Sequence, residues 1–291
     1  MSFPIIFTST NRISGSTYRL SLPSVVDLTD YDVAVGQAYL YYSWYSISAA
    51  AQNNTYQFVF PTSAGNTTYT VIIPDGAYNI SDLNSQLQYF CIQNGLYITN
   101  NTTGLNTYYL SWQLSPTAYN AQFIATALPT SLPAGYTSGG MTFPASANQA
   151  PQLIVASAPN SFRLIVGMNA GTYPTVPTIS GSTYTKPSDF TPAVNPISAI
   201  QCRLNCVFNP FSGNSNLVHV FTNRGAAFGA QIDASPLQLQ FVPCQGSHKE
   251  LTLTFADQLG NPMNILDPAL TFKLLFKKRK IAQYFGRADA Q

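Results

Sequence analysis

Alternation of apolar and polar positions predicts strands along most of the chain, most clearly in residues 250–276, ELTLTFADQLGNPMNILDPALTFKLLF. Leu251, Leu253 and Phe255 alternate with Thr252 and Thr254, and Leu270, Phe272, Leu274 and Phe276 alternate with Thr271 and Lys273. Successive side chains on a strand point to opposite faces, so each run has one buried side and one wetter side. Between the runs, Asp257, Gly260, Asn261, Pro262, Asp267 and Pro268 supply turn chemistry. Glycine reaches positive φ, proline ends strand pairing, and Asp and Asn bond the local backbone. The stretch reads as two strands joined by a long loop whose structural posts are Asp257, Gly260, Pro262, Asp267 and Pro268.

Upstream, the same signal recurs. Tyr18, Leu20 and Leu22 alternate with Arg19 and Ser21, and residues 33–48 form a long apolar and aromatic run. Residues 56–60 and 69–73 flank PTSAGNTT, a hairpin-like arrangement with Gly65 in its loop. Tyr108, Leu110, Trp112 and Leu114 alternate, and 123–127, 162–166, 200–208, 217–221 and 237–242 are further candidate strands. One helix interrupts them. In NISDLNSQLQYFCIQNG, Leu83, Leu87, Phe90 and Cys91 fall on one helical face. Asn79 or Ser81 caps its start, Asp82 favours its dipole, and Gly95 suits a left-handed end. Residues 129–160 and 168–196 are rich in Gly, Pro, Ser and Thr and read as elaborated loops. No repeat of solenoid or propeller period is present.

Composition changes this picture in one respect. Apolar residues make up 45% of the 291, enough for a large core, but charged residues are only 8%, against roughly 25% in ordinary globular proteins. Polarity comes from Asn, Gln, Ser, Thr and Tyr instead. A wet but nearly uncharged surface favours close packing against neighbours, because little charge must be desolvated. The net charge of +2 is a property of the tail: residues 1–272 hold seven Lys/Arg against ten Asp/Glu, while 273–291 hold six against Asp289 alone.

Candidate chemistry is sparse. There is no Gly-x-Ser-x-Gly, no phosphate-binding glycine loop and no His-Glu-x-x-His. Glu250 is the sole glutamate, and Asp257 and Asp267 fit turn chemistry better than an acid–base pair. Cys202 and Cys206 alternate with Leu204 and Phe208 and read as buried thiols; neither His219 nor His248 completes a zinc spacing. No enzymatic activity, cofactor or metal is expected. The first residues lack a basic stretch before an apolar run, so no secretory leader is expected, and no apolar stretch is long enough for a membrane span. Lys277, Lys278, Arg279 and Lys280 admit three readings: a solvated terminus, phosphate-directed contact with polyanion, or contact with an acidic protein neighbour.

Three segments together resemble a known family. IPDGAYNISDLNSQLQ (73–88), FRLIVGM (162–168) and LTLTFADQLGNPMNILDPALTFKLLFKK (251–278) are similar to landmarks of the minor capsid, or penton, proteins of virophages and Polinton/Maverick-type viruses, mavirus-like forms above all. The landmarks are a Pro-x-Gly-x-Tyr turn before a short helix, a Leu-Gly-Phe-like segment, and a closing Asp-Gln … Leu-Asp-Pro … Leu-Leu hairpin. The middle one departs from the pattern, reading Val-Gly-Met here.

The resemblance implies an all-β fold: a single jelly-roll β-sandwich of two four-stranded antiparallel sheets, with one short helix and long loops or an insertion. It implies one domain over 1–280, with elaborated loops at 129–160 and 168–196 and a flexible basic tail at 281–291. Its function would be structural, a homopentamer at the five-fold vertices of an icosahedral double-stranded DNA virus. It would sit in the virion beside capsomers of the major capsid protein, with packaged DNA a further partner of the basic tail. With the 257–268 loop facing outward, that tail would lie at the inner end. The alternative is a jelly-roll receptor- or carbohydrate-binding spike or lectin using the Tyr- and Asn-rich loops 129–160 and 168–196.

Overall fold

The structure, a computed structural model, describes residues 2–115, 117–118, 120–193, 197, 199–210, 212, 216–223, 225–258, 260–267 and 269–279. The chain forms two compact units, one built from Met1–Trp44 with Ile197–Gln291 and the other from Tyr45–Pro196. This differs from the single domain expected over 1–280. Stretches 129–160 and 168–196 are parts of the second unit, not loops on the first. Residues 281–291 lie outside the described residues.

Elements follow in chain order. The first unit begins with β1 (Ser2–Thr8), β2 (Arg12–Ser14), β3 (Thr17–Asp27) and β4 (Tyr31–Tyr41). The second unit holds β5 (Thr55–Thr62), β6 (Gly65–Ile72), α1 (Ile80–Gln93), β7 (Ile98–Asn100), β8 (Asn106–Thr107), β9 (Leu110–Leu114) and β10 (Ala121–Thr126). It continues with β11 (Tyr136–Ser138), β12 (Gln152–Val155), α2 (Phe162–Val166), β13 (Gly171–Tyr173) and β14 (Thr183–Pro187). The first unit then resumes with β15 (Ile200–Leu204), β16 (Leu217–Phe221), β17 (Gln231–Asp233), β18 (Val242–Pro243), β19 (Ser247–Ala256) and β20 (Thr271–Lys278). The described strands form five sheets, not two.

In the first unit, one sheet runs β1-β20-β4-β17, with β18 also on β4, and the other runs β16-β15-β19-β3-β2. All pairs are antiparallel. The predicted alternation holds. Leu251, Leu253 and Phe255 of β19 and Phe272, Leu274 and Phe276 of β20 are buried, with the intervening threonines and Lys273 partly exposed. The two strands do not form the hairpin expected of them: β19 pairs with β3 and β15, β20 with β1 and β4, and the inner faces meet in one core. Phe255 of one sheet packs edge-on against Phe272 of the other, ring centroids 5.7 Å apart.

A bulge in β4 explains why its apolar positions change parity. Val33 and Val35 point into the core, but so do Ala38 and Leu40. The register shifts opposite Lys273 and Leu274, where Gly36 is the extra residue, so Phe276, Leu274 and Phe272 face Val33, Val35 and Ala38 in turn. A Cβ at Gly36 would sit 3.0 Å from Leu275 Cδ1. A one-residue insertion carries the next positions to the other face, and here it keeps both halves of the strand directed inward.

Two candidate strands behave differently from their reading. Residues 237–242 do not form a strand; only Val242–Pro243 pairs with β4, and between β17 and β18 the chain leaves the sheet edge. Pro236 and Pro243 bracket this excursion, and proline cannot donate to a ladder. FRLIV forms α2 instead of a strand, burying Phe162, Ile165 and Val166 at i, i+3 and i+4 and ending at Gly167 with φ 69°. Five apolar residues suit either element until the burying neighbours decide.

The second unit is a separate β-rich body around its own core, with sheets β13-β12-β5-β6, β14-β10-β9 and β11-β7-β8. The predicted β5–β6 hairpin is present. Helix α1 starts as predicted. The Asn79 side chain accepts from Asp82 N at 2.9 Å, and the Asp82 carboxylate accepts from Asn79 N at 2.9 Å, satisfying two otherwise orphaned donors. Its buried face, Ile80, Leu83, Leu87 and Cys91, lies against β9, and Asn84 Oδ1 accepts from Trp112 N. Tyr56 stacks on Phe162 at 4.6 Å, with Trp112 edge-on to both.

Asp189 fastens the end of this unit. Burial pushes its carboxyl up, but the Asn169 N–H at 2.8 Å and the Lys186 ammonium outweigh that and hold it below the usual carboxylate range. A depressed folded pKa contributes stability above the unfolded value of about 4 and loses it as pH falls through the folded value. Urea titrations at pH 6 and pH 3 are expected to show a smaller acid-side loss in Asp189→Asn than in wild type. An equal loss in both would contradict this assignment.

Candidate functional site

Among the described residues, no group of three or more His, Cys, Asp or Glu side chains could hold a metal ion, and no helix is long and apolar enough to cross a membrane. The candidate residues lie at two ends and one edge of the first unit.

The basic end is built by β20. Lys277 lies opposite Ser2 on one side and Asp32 on the other, and Lys278 lies opposite Tyr31. Arg279 is not free. Its backbone N–H donates to Asp30 O at 2.8 Å, its Nε to Asp32 Oδ1 at 2.7 Å, and its Nη2 to the carbonyls of Tyr31 and Cys244 at 3.2 and 3.0 Å. It is a fastener holding the strand end to the segments before β4 and after β18. Lys277 and Lys278 are exposed, and Lys277 Nζ lies 5.4 Å from the ring centroid of Phe241. A shallow depression of about 400 Å³ is bounded by these residues and Asp32. Lys280 lies outside the described residues. Nothing in the local pattern pairs Arg279 with Asp32, 247 positions away; only strand register brings them together.

At the opposite end, the structural posts divide into two groups. Asp257 accepts from Asn261 N at 2.8 Å and from Asn261 Nδ2 at 3.0 Å, and Gly260 N donates to Asp257 O. Gly260 has φ 91°, a left-handed conformation that favours glycine; a Cβ there would lie 2.7 Å from a terminal nitrogen of the flexible Arg203 side chain, which can shift, so conformation is the constraint. Asp267 is fully buried; its Oδ2 accepts from Tyr41 N at 2.6 Å and its Oδ1 from Ala269 N at 2.7 Å. That carboxylate terminates β4 by taking the N–H that no strand receives. Pro262 forms an isolated bridge with Ala256, and Pro268 lies outside the described residues. The two aspartates therefore serve separate backbone sites.

Sequence reading missed the edge. Leu237 is 96% exposed, and Leu239, Phe241, Val220 and Phe208 are exposed nearby in the chain or across the excursion. A depression of about 570 Å³ lies between β16 and residues 236–242. No charged residue occurs in 234–246 or in β1, the strand at the other edge of the same sheet. The PLQLQF alternation was itself the signal: glutamines stand where an edge would ordinarily carry lysine. In the second unit, a depression of about 600 Å³ is lined by Tyr109, Pro129, Tyr136 and Asn148 among others.

All four cysteines are free and buried, as was expected of Cys202 and Cys206. Burial pushes the Cys91 thiol up to about 12 and Cys202 well above its ordinary value. Cys206 lies beyond the end of β15 and meets Cys244, Sγ to Sγ, at 3.9 Å.

No protein-family model matches the chain, and no curated protein matches it. Among solved structures, the crystal structure of the selenomethionine-labelled mavirus penton protein is similar over 96% of this chain and 100% of that one, at 12% identity and a TM-score of 0.43.

The basic end separates into testable roles. In salt titrations of binding to duplex DNA, Lys277→Gln with Lys278→Gln is expected to reduce the slope of log K against log salt by about two, with an unchanged thermal midpoint. Arg279→Gln should lower the thermal midpoint instead. A lowered midpoint in the lysine variant, or none in the arginine variant, would reverse the assignment.

Proposed function

We propose that the chain is a structural capsid subunit whose first unit is a jelly roll, forming pentameric capsomers at the five-fold vertices of an icosahedral double-stranded DNA virus. One observation carries the reading. Counting the β17–β18 edge as one interrupted strand, the eight main strands of the first unit pair in nested fashion: β1 with β20, β3 with β19, β4 with β17 and β18, and β15 with β16. First meets last, second meets seventh, third meets sixth, and fourth meets fifth. That is a long antiparallel hairpin rolled into a two-sheet sandwich, the jelly-roll architecture shared by viral capsid and lectin domains.

Two further features support the capsid branch of that choice. The segment that most specifically resembles the penton family, 251–278, supplies the seventh and eighth strands and their connecting loop. Asp233 at the end of β17 is the single charged residue across β1, β17 and the 234–246 segment, so these edges raise little electrostatic barrier against copies of the chain. A closed ring needs two different complementary sides on each subunit, and the two ends of an open sheet provide them. In this reading the partners are four further copies and capsomers of the major capsid protein. Lys277 and Lys278 face the particle interior, where packaged DNA is the available polyanion. The role is non-catalytic and its place is the virion vertex.

A second reading, receptor or glycan capture, rests on the Tyr109, Tyr136 and Asn148 depression of the second unit. Sugars stack on aromatic faces, and such a site is compatible with a vertex position.

Light scattering coupled to size-exclusion chromatography is expected to give a five-chain mass, alone or on concentration. Leu237→Lys should abolish that mass with little change in thermal midpoint, because Leu237 is almost wholly exposed in the single chain. A monomer at all concentrations, or a trimer that binds glycan, would contradict the penton reading.

A further inference from the structure

Cys206 and Cys244 stand apart from the other thiols. Both are buried, at 1% and 0% exposure, and their sulfurs are 3.9 Å apart. Their backbones are already tied: Gln245 N donates to Cys206 O at 2.8 Å, Phe208 N donates to Pro243 O at 2.9 Å, and Val207 bridges to Cys244. Cys244 is further held by Arg279, which donates to its carbonyl. The two thiols therefore sit on segments whose approach does not depend on the thiols themselves. Closing the gap to a disulfide length of about 2.05 Å requires a shift of the sulfurs, with the backbone contacts already made.

We propose that Cys206 and Cys244 are an oxidative modification site, a buried dithiol that a small peroxide converts reversibly to a disulfide. One thiol, as thiolate, attacks a peroxide oxygen; the O–O bond breaks, hydroxide leaves, and a sulfenic acid forms. The second sulfur attacks the first, the S–S bond forms, and the sulfenic oxygen departs as water. Two thiols and one hydrogen peroxide thus give one disulfide and two waters, the sulfurs losing two electrons and the peroxide oxygens gaining them. The hydrogen bond between the thiols, with burial, raises the Cys206 pKa, which keeps that thiol protonated and makes its reaction slow.

The bond would close a loop over residues 207–243. That loop holds β16, β17, β18 and the exposed edge residues Leu237, Leu239 and Phe241. Its two ends are Cys206 and Cys244, so the disulfide would lock the base of the segment that forms one edge of the sandwich. The chemistry is independent of the capsid reading. Its consequence for assembly rests on that reading, in which an edge with no covalent tie in the reducing cell becomes braced once a particle is exposed to oxidants.

The test uses the intact protein treated with a modest excess of hydrogen peroxide, quenched with an alkylating reagent and mapped by mass spectrometry without reduction. The expected product is a linked peptide pair containing residues 206 and 244, lighter by two hydrogens and restored by dithiothreitol. The thermal midpoint should rise by about 5–10 °C on oxidation. Cys206→Ala and Cys244→Ala should each abolish both changes. If either variant fails to fold, wild type alone decides, through the linked peptide and its midpoint before and after reduction. A link involving Cys202 or Cys91, oxidation to sulfinic acid without a link, or a 206–244 link seen only under denaturing conditions would each overturn the proposal. A chain that forms the link yet remains monomeric would leave the dithiol standing and remove the capsid reading.

Discussion

The first unit depends on β20 being paired on both sides. This strand comes last in its sheet by sequence but lies between β1 and β4 in space. It directs Phe272, Leu274 and Phe276 into the core, all fully buried. Without it β1 has no partner, β4 loses its longest ladder, and the inner face of the opposing sheet loses the ring that Phe255 packs against. The sandwich therefore cannot close until the end of the chain is available, and its closure joins residues more than 230 positions apart. Pairing of such high sequence separation is slow to form, because loop closure precedes any gain from burial.

The same constraint bears on where the chain leaves and re-enters the first unit. Tyr41, at the end of β4, is held by Asp267, while Gln201, at the start of β15, faces Ala256 at the end of β19. The chain thus leaves and re-enters the first unit at one end of its sandwich. An insertion between two points on one end lengthens a connection without disturbing a ladder, and loop-closure cost grows only slowly with length. The basic residues Lys277 and Lys278 lie at the other end, where Arg279 ties β20 to Asp32.

Strand positions were largely legible because one-sided burial leaves a two-residue period, as Leu251–Leu253–Phe255 show. Helix α1 was legible from its cap, Asn79 with Asp82, and from its single apolar face. The division into two units was not. Both units are β-rich, so alternation does not mark Trp44 or Ile197; the one mark is charge, since 45–196 holds only five of the chain's 24 charged residues, Asp75, Asp82, Arg163, Lys186 and Asp189. The bulge at Gly36 was hidden because residues 33–40 are apolar at both parities, and the phase change shows only against Leu274. FRLIV was too short to distinguish α2 from a strand. At the site, turn roles for Asp257 and Gly260 followed from residue type, but Arg279's engagement with Asp32 and the meeting of Cys206 with Cys244 are products of register, which alternation alone does not contain.

Hydrogen exchange of the intact protein under rising urea tests the rolled-hairpin account most directly. Amides of β1, β3, β4, β19 and β20 are predicted to lose protection together, as one cooperative unit, even though the N-terminal and C-terminal segments are separated by the whole of Tyr45–Pro196. Loss of protection in β1 through β4 together with β5 and β6, while β19 and β20 remained protected, would contradict it.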